Sequence, residues 1–313
     1  MSAMNHSTSA CLLGLYAMTP LHPGASGARG EIDLPVQKEA HTGWPMCFAS
    51  GIKGAWREAA SQKRNRNASI LNTNDILAVF GREVRVADDT GAEDATPQQA
   101  GALAVTDAQI LLLPVRSLSS AFKWVTCPGV LQRFLSTCEL MGLAAITEGL
   151  AVPMAFGEDA LCANEAAPDA KVLLEEFACT LKQHDLMPWV ELLSKLSGQT
   201  IERLQRDLLV LSDEVFTYYC EFGLEVQAHV RLEPGTKTVT GGMLWWEETL
   251  SRDTLLYATP AGFAALRLSG KNILDAALSV IAQQNHTLRL GGNESLGMGW
   301  CKVAAMHAPK ERA

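Results

Sequence analysis

The chain has no C-x-x-C pair. Its eight cysteines, Cys11, Cys47, Cys127, Cys138, Cys162, Cys179, Cys220 and Cys301, are scattered, which argues against a zinc knuckle and against a disulfide framework. They read as small core hydrophobes. Long apolar runs are also missing, none approaching the roughly 18 to 20 residues that a membrane span needs. The N-terminal stretch MSAMNHSTSACLLGLYAM lacks a positive n-region and a small-residue cleavage site. Residues 11–18 are therefore expected to form a first strand and not a signal peptide, and the protein is expected in the cytoplasm, away from membranes. A G-K-[ST] phosphate loop is absent. So is a basic excess: 26 Lys and Arg face 34 Asp and Glu, a formal charge of −8, which opposes a free-standing binder of phosphate backbones.

What is present is the composition of a folded protein. The 313 residues are 48% apolar and 19% charged, enough for one large domain or two modest ones with a sizeable core. The acids cluster at Asp88, Asp89, Glu93 and Asp94, and again between Glu158 and Glu176. Bases gather elsewhere, at Lys38, Lys53, Arg57, Lys63, Arg64 and Arg66, with Arg231 and Lys237 farther on. Such polarity suits a subunit with one anion-facing side, and ordinary solvated charge explains it almost as well.

Strand and helix signals alternate along the chain. AQILLLPV at 108–115 reads as a central strand and 123–126 as a short one, feeding a helix over 128–141 whose stripe is Val130, Leu131, Phe134, Cys138 and Met141. Residues 59–105 are polar and turn-rich, which predicts a partly disordered excursion. The stretch 158–210 is expected to be a helical insertion, split at Met187-Pro188 and at Gly198. Residues 225–239 alternate around Glu233-Pro234-Gly235, a hairpin signal. A last helix is expected over 273–281, and two terminal strands flank a glycine loop.

Two segments carry chemistry. In residues 30–58, Asp33 stands between Ile32 and Leu34 ahead of Pro35, so a loop or strand end is expected there. Ser50-Gly51-Ile52-Lys53-Gly54-Ala55-Trp56-Arg57 reads as a helix start with Ser50 as N-cap and Lys53 and Arg57 on one face, a ready site for a phosphate. An ordinary capped, solvated helix explains the same residues. The second segment, GGNESLGMG, places Gly291, Gly292, Gly297 and Gly299 where backbone amides can approach a polyanion. An irregular hairpin loop is the alternative.

Taken together, S-x-x-K-G-x-x-R, the GG-N-E-S-L-G-M-G loop and the blocks TPLHPG, IDLPVQKEAHTGWP, TDAQILLLPVRSL, WVTCPGVLQRF and GGMLWWEETLSRDTLLY resemble the RAMP superfamily of CRISPR proteins. Within it they are similar to the repeated backbone subunit of the type III-B (Cmr) effector complex, nearly end to end. The resemblance implies an α+β fold: a single RAMP domain over 1–313 with a ferredoxin-like, RRM-related palm, insertions, and a protruding β-hairpin thumb within 215–256. Copies would stack along a guide RNA beside the large polymerase-like, small helical and other RAMP subunits, and would cut the bound target RNA in a metal-dependent reaction. The matching acid is Asp33, which would also hold the divalent ion, Mg²⁺ or Mn²⁺. His22 is the next candidate, as an acid or a phosphate positioner, against a purely structural role. Glu247 and Glu248 match an acidic pair that could assist, although a structural salt bridge is favoured for them. Trp245 and Trp246 are read as core before base-stacking. The guide backbone would meet Ser50, Lys53, Arg57, Gly291, Gly292, Gly297 and Gly299, with Arg231 and Lys237 on the thumb. Lys38, Trp44 and Cys47-Phe48-Ala49 depart from the family pattern. A non-cleaving scaffold and a free-standing processor of guide precursors are the alternatives.

Overall fold

The computed structural model describes residues 9–65, 71–81, 100–233, 235–236, 239–262, 267–268 and 271–309. Lys237, and residues 66–70 and 82–99 of the polar excursion, lie outside them. The architecture is mixed α/β around one large mixed sheet.

Strand β1 (Leu12–Ala17) is buried at every position, which is why its sequence is an apolar run and not an alternation. Helix α1 (Ala49–Asn65) follows a long loop, and β2 (Ala108–Arg116) comes later in the chain, after the short helix Thr73–Phe80. A methyl on Gly14 would lie 2.3 Å from the carbonyl oxygen of Leu196, so the glycine lets the helix Met187–Ser197 cross directly over β1. Strand β3 (Phe122–Thr126) feeds α2 (Pro128–Leu140), which opens with proline in its first turn, where a missing N–H costs nothing.

Then come β4 (Glu225–Leu232), β5 (Val239–Thr249), β6 (Leu255–Ala258), α3 (Ile273–Gln283) and β7 (Trp300–Met306). The middle of the large sheet runs β7–β1–β6–β2, antiparallel at each step. Helix α1 lies between β1 and β2 in the chain, and α3 between β6 and β7, so two strand–helix–strand units interleave. The helices pack together: the buried Trp56 of α1 donates its indole N–H to the Ala277 carbonyl of α3 at 2.9 Å. Beyond β2 the sheet continues through β3, Leu208–Val210, Asp159–Cys162, Phe177–Gln183 and Lys171–Leu174.

Strands β4 and β5 form a separate two-stranded ribbon, paired from Glu225–Thr249 to Leu232–Val239 with an irregularity between Val230 and Leu232. Its base is tied to the loop after β1 by the bridges Leu21–Leu250 and Leu34–Glu247.

Two expectations need correction. The first half of the 158–210 stretch is strand; helix is confined to Met187–Ser197 and Ile201–Asp207. Within 59–105, residues 59–65 continue α1, and Thr73–Phe80 is a helix closed by a capping box between Asn72 and Asp75. The eight cysteines are all free and buried, and burial pushes the thiols of Cys11, Cys47, Cys138 and Cys301 up to about 12. They are core residues. No described helix is long and apolar enough to cross a membrane.

Candidate functional site

The loop after β1 is folded back on itself by the bridges Gly24–Val36, Arg29–Ile32 and Lys38–Pro45. Arg29 donates to both oxygens of Glu221, at 2.7 and 2.6 Å, and anchors the tip. Asp33 is exposed and fixed three ways against Trp246 of β5. The amides of Asp33 and Leu34 donate to the Trp246 carbonyl at 3.1 and 3.0 Å, and Asp33 Oδ2 accepts the Trp246 N–H at 2.8 Å. Its Oδ1 accepts no hydrogen bond among the described residues. The acid is thus held at the base of the ribbon with one oxygen turned to solvent.

His22 is buried beneath this loop, with Nδ1 at 2.7 Å from the Glu248 carbonyl oxygen. A carbonyl can only accept, so this geometry assigns the proton to Nδ1 and leaves the Nε2 lone pair free in the neutral ring. Nε2 faces Gly24, where an added methyl would come within 2.9 Å. Gly24 is a site residue that the sequence reading missed, and only its place two residues after a histidine hinted at it.

Successive side chains of a strand point to opposite faces, and the two acids of β5 part accordingly. Glu248, 1% exposed, receives Lys38 Nζ at 2.7 Å and the Val36 amide at 3.0 Å. It is a structural ion pair, which explains Lys38, one of the departures from the family pattern. Glu247, 3% exposed, faces the site. His22 Nδ1 lies 3.6 Å from its Oε1, His229 Nε2 lies 3.9 Å from its Oε2, and Asn293 donates to Oε1. The His229 ring stacks on Trp245. Trp44, a second departure, packs edge-on against Phe216 beneath the Arg133 guanidinium.

The glycine loop closes the site from behind. Gly291, at φ +82°, lies so close to His22 that a methyl would sit 2.3 Å from the His22 carbonyl oxygen, which accepts the Gly292 amide at 2.9 Å. The amides of Gly297 and Gly299 donate to Glu294 and Pro20. The expectation of free amides for a polyanion is corrected at Gly292, Gly297 and Gly299: these three donors are engaged inside the protein. What the glycines provide is backbone approach.

The start of α1 also differs from its reading. Ser50 is the second helical residue, exposed, and not the N-cap; the Phe48 carbonyl accepts from Gly51 and Ile52. The Ala49 amide donates to Asp107 Oδ1 at 2.7 Å, so a carboxylate already meets the positive end of the helix. Lys53 donates to the Leu103 carbonyl at 2.7 Å, and burial lowers its pKa. It is therefore not paired with Arg57 on an open face, as the spacing had implied. Arg57 lies one turn on, partly buried, and Arg231 is exposed on β4 beside the ribbon's irregularity.

Among the described residues no three His, Cys, Asp or Glu side chains stand close enough to cage a metal ion. The donor set near Asp33 is a single hard carboxylate oxygen. That suits a hydrated Mg²⁺ or Mn²⁺, which keeps most of its water and shares its remaining positions with phosphate.

Comparison with known proteins identifies the family and the fold. The RAMP superfamily model matches residues 15–302. The CRISPR system Cmr endoribonuclease Cmr4 of Pyrococcus furiosus is 32% identical over 299 residues, covering 94% of this chain and 95% of that protein. The crystal structure of oligomeric Cmr4 from Pyrococcus furiosus superposes with a TM-score of 0.71 at 27% identity, covering 97% of this chain and all (100%) of the other. A chain of the type III-B Cmr-beta complex bound to cognate target RNA shares the fold, with a TM-score of 0.68 at 20% identity, over 95% and 96% of the two chains. The chain belongs to the RAMP superfamily, in its Cmr4 branch.

Proposed function

We propose that this chain is the repeated backbone subunit of a type III-B CRISPR ribonucleoprotein and that it cuts guide-paired target RNA. The observation that carries the reading is the exposed Asp33 held on the Trp246 backbone at the base of the β4–β5 ribbon, with the buried His22–Glu247 contact at the same loop–ribbon junction. In this reading the β7–β1–β6–β2 sheet with α1 and α3 is a ferredoxin-like, RRM-related palm, and the ribbon is its thumb. Copies stack head to tail along the guide, in the cytoplasm, with the other Cmr subunits completing the particle. Neighbouring subunits then supply the positive charge that a chain of −8 lacks. In this reading Ser50, Lys53, Arg57 and the backbone at Gly291, Gly292, Gly297 and Gly299 face the guide, and Arg231 belongs to the thumb. Contacts of this kind position the strand without reading its sequence.

Cleavage follows from holding one nucleotide out of the duplex beside the thumb. Its 2′-oxygen attacks the adjacent phosphorus in line, the bond from phosphorus to the 5′-oxygen breaks, and the products end in a 2′,3′-cyclic phosphate and a 5′-hydroxyl. The 2′-hydroxyl loses its proton and the 5′-oxygen gains one. His22, whose Nε2 carries a lone pair in the neutral ring, would take part in this transfer or position the phosphate, with Glu247 beside its ring. Asp33 is the residue that would hold a divalent ion, whose chemistry when bound is to offset negative charge on the phosphate oxygens.

The test uses assembled particles and a complementary RNA carrying a single 2′-deoxy nucleotide at one expected cut. Loss of that rung alone, with neighbouring rungs intact, is the expected result. A full ladder would reject attack by the 2′-hydroxyl.

A further inference from the structure

We infer that Asn293 is a positioning residue for cleavage, coupling the glycine loop to the acid–histidine cluster through the carboxylate of Glu247. The inference rests on the functional reading above and extends it to a residue outside the acid and histidine set.

Asn293 is at φ +60° and ψ +31°, the left-handed region, where asparagine is among the few residues other than glycine that settle readily. Its backbone carbonyl accepts from Leu296 and Met298, which shapes the loop. Conformation alone would be served as well by glycine, with which the loop is already rich. The carboxamide is what glycine cannot supply, and its Nδ2 donates to Glu247 Oε1 across 46 residues of sequence.

Among the described residues that donor has no equivalent in the cluster. The His22 Nδ1 proton points to the Glu248 carbonyl at 2.7 Å and lies 3.6 Å from Glu247. His229 Nε2, at 3.9 Å, is a buried atom without a hydrogen-bond partner among the described residues. A buried carboxylate needs a made hydrogen bond, and Asn293 makes it. Two tethers therefore run from the loop to the site: the Gly292 amide on the His22 carbonyl, and the Asn293 side chain on Glu247. A shift of the loop moves both groups together. Since displacements of about 1 Å in a positioned group cost up to about 100-fold in rate, a loop held on the guide side sets the geometry of the cleaving side.

The variants Asn293→Gly and Asn293→Asp separate this role from loop shape. Glycine keeps the backbone and removes the donor. Aspartate keeps the shape and sets two carboxylates against each other, and as pH falls they share a proton that restores the hydrogen bond. Among the described residues the titratable group that Asn293 meets is Glu247, which has His22 at 3.6 Å and His229 at 3.9 Å, while Arg289 and Glu294 of the neighbouring backbone pair with each other at 3.6 Å.

The experiment measures guide loading and single-turnover cleavage by assembled particles between pH 5.5 and 8.5, with Asp33→Asn alongside. Expected are guide loading within about twofold of wild type for both variants, cleavage by Asn293→Gly slower by about 10- to 100-fold at every pH, and an Asn293→Asp rate that approaches wild type as pH falls. Should Asn293→Asp fail to assemble, Asn293→Gly decides. The inference is overturned if Asn293→Gly cleaves at the wild-type rate, if guide loading falls in step with cleavage, or if the Asn293→Asp profile merely parallels wild type. Wild-type cleavage by Asp33→Asn would instead reject the functional reading itself.

Discussion

Asp33 and Trp246 are locked together by their backbones and by one carboxylate oxygen, with Asp33 Oδ2 at 2.8 Å from the Trp246 amide. The acid of a surface loop thereby moves with the base of the β4–β5 ribbon. In the functional reading this is the contact that keeps the cutting group beside the thumb, so its geometry survives whichever guide is loaded.

The Lys38–Glu248 pair supports this loop from beneath. Both groups are nearly excluded from water and lie 2.7 Å apart, so removing one leaves an uncompensated buried charge. Lys38→Met is expected to lower stability by roughly 3–5 kcal/mol, and Lys38→Arg by less. Urea denaturation of the purified subunit measures both, and a loss under 1 kcal/mol for Lys38→Met would contradict the assignment.

Glycines of the 291–299 loop separate into tight and open positions. Gly291 and Gly297 share a φ of +82°, but a methyl on Gly297 meets nothing within 4 Å, whereas one on Gly291 meets the His22 carbonyl oxygen at 2.3 Å. Gly297→Ala should cost only the left-handed penalty of about 1–2 kcal/mol. Gly291→Ala should cost more and slow cleavage as well, because His22 must move. Equal thermal shifts for the two would remove the claim that Gly291 is needed for close approach.

Asp207 gives the fold a pH signature. Burial alone would raise its pKa, but hydrogen bonds and charge from Arg206 and Lys123 prevail and hold it below the ordinary 3.8. A carboxyl whose native pKa is depressed stabilises the fold fully above its unfolded value and loses that contribution as pH falls through the native one. Asp207→Asn is therefore expected to melt lower than wild type at pH 7, by an amount equivalent to about 1–3 kcal/mol, with the gap closing in acid below the ordinary value. A gap that stays constant down to the acid limit would argue against it.

The strands of the central sheet, the last helix, the ribbon and the flanks of the glycine loop were legible because each has a local pattern of apolar residues and turn formers. Residues 171–183 were misread because KVLL and FACTLKQ are short and sit beside charge, and only pairing at the sheet's far edge makes them strands. Within the site, Asp33 and His22 stood out through their motifs, while Asn293 read only as part of a glycine loop. Its partner is remote in sequence, as is Asp107, which caps α1 from 58 residues away. No local spacing shows such contacts. The same holds for Lys53, whose spacing from Arg57 implied a shared phosphate face and whose amino group is turned to the Leu103 carbonyl.

The most direct test of Asp33 as the cleaving group is the single-turnover rate on complementary RNA by particles assembled with Asp33→Asn, at equal guide and target occupancy and saturating Mg²⁺. A loss of about 100-fold or more with unchanged target binding is expected. An unchanged cleavage ladder at the wild-type rate would contradict the account and leave the chain a scaffold.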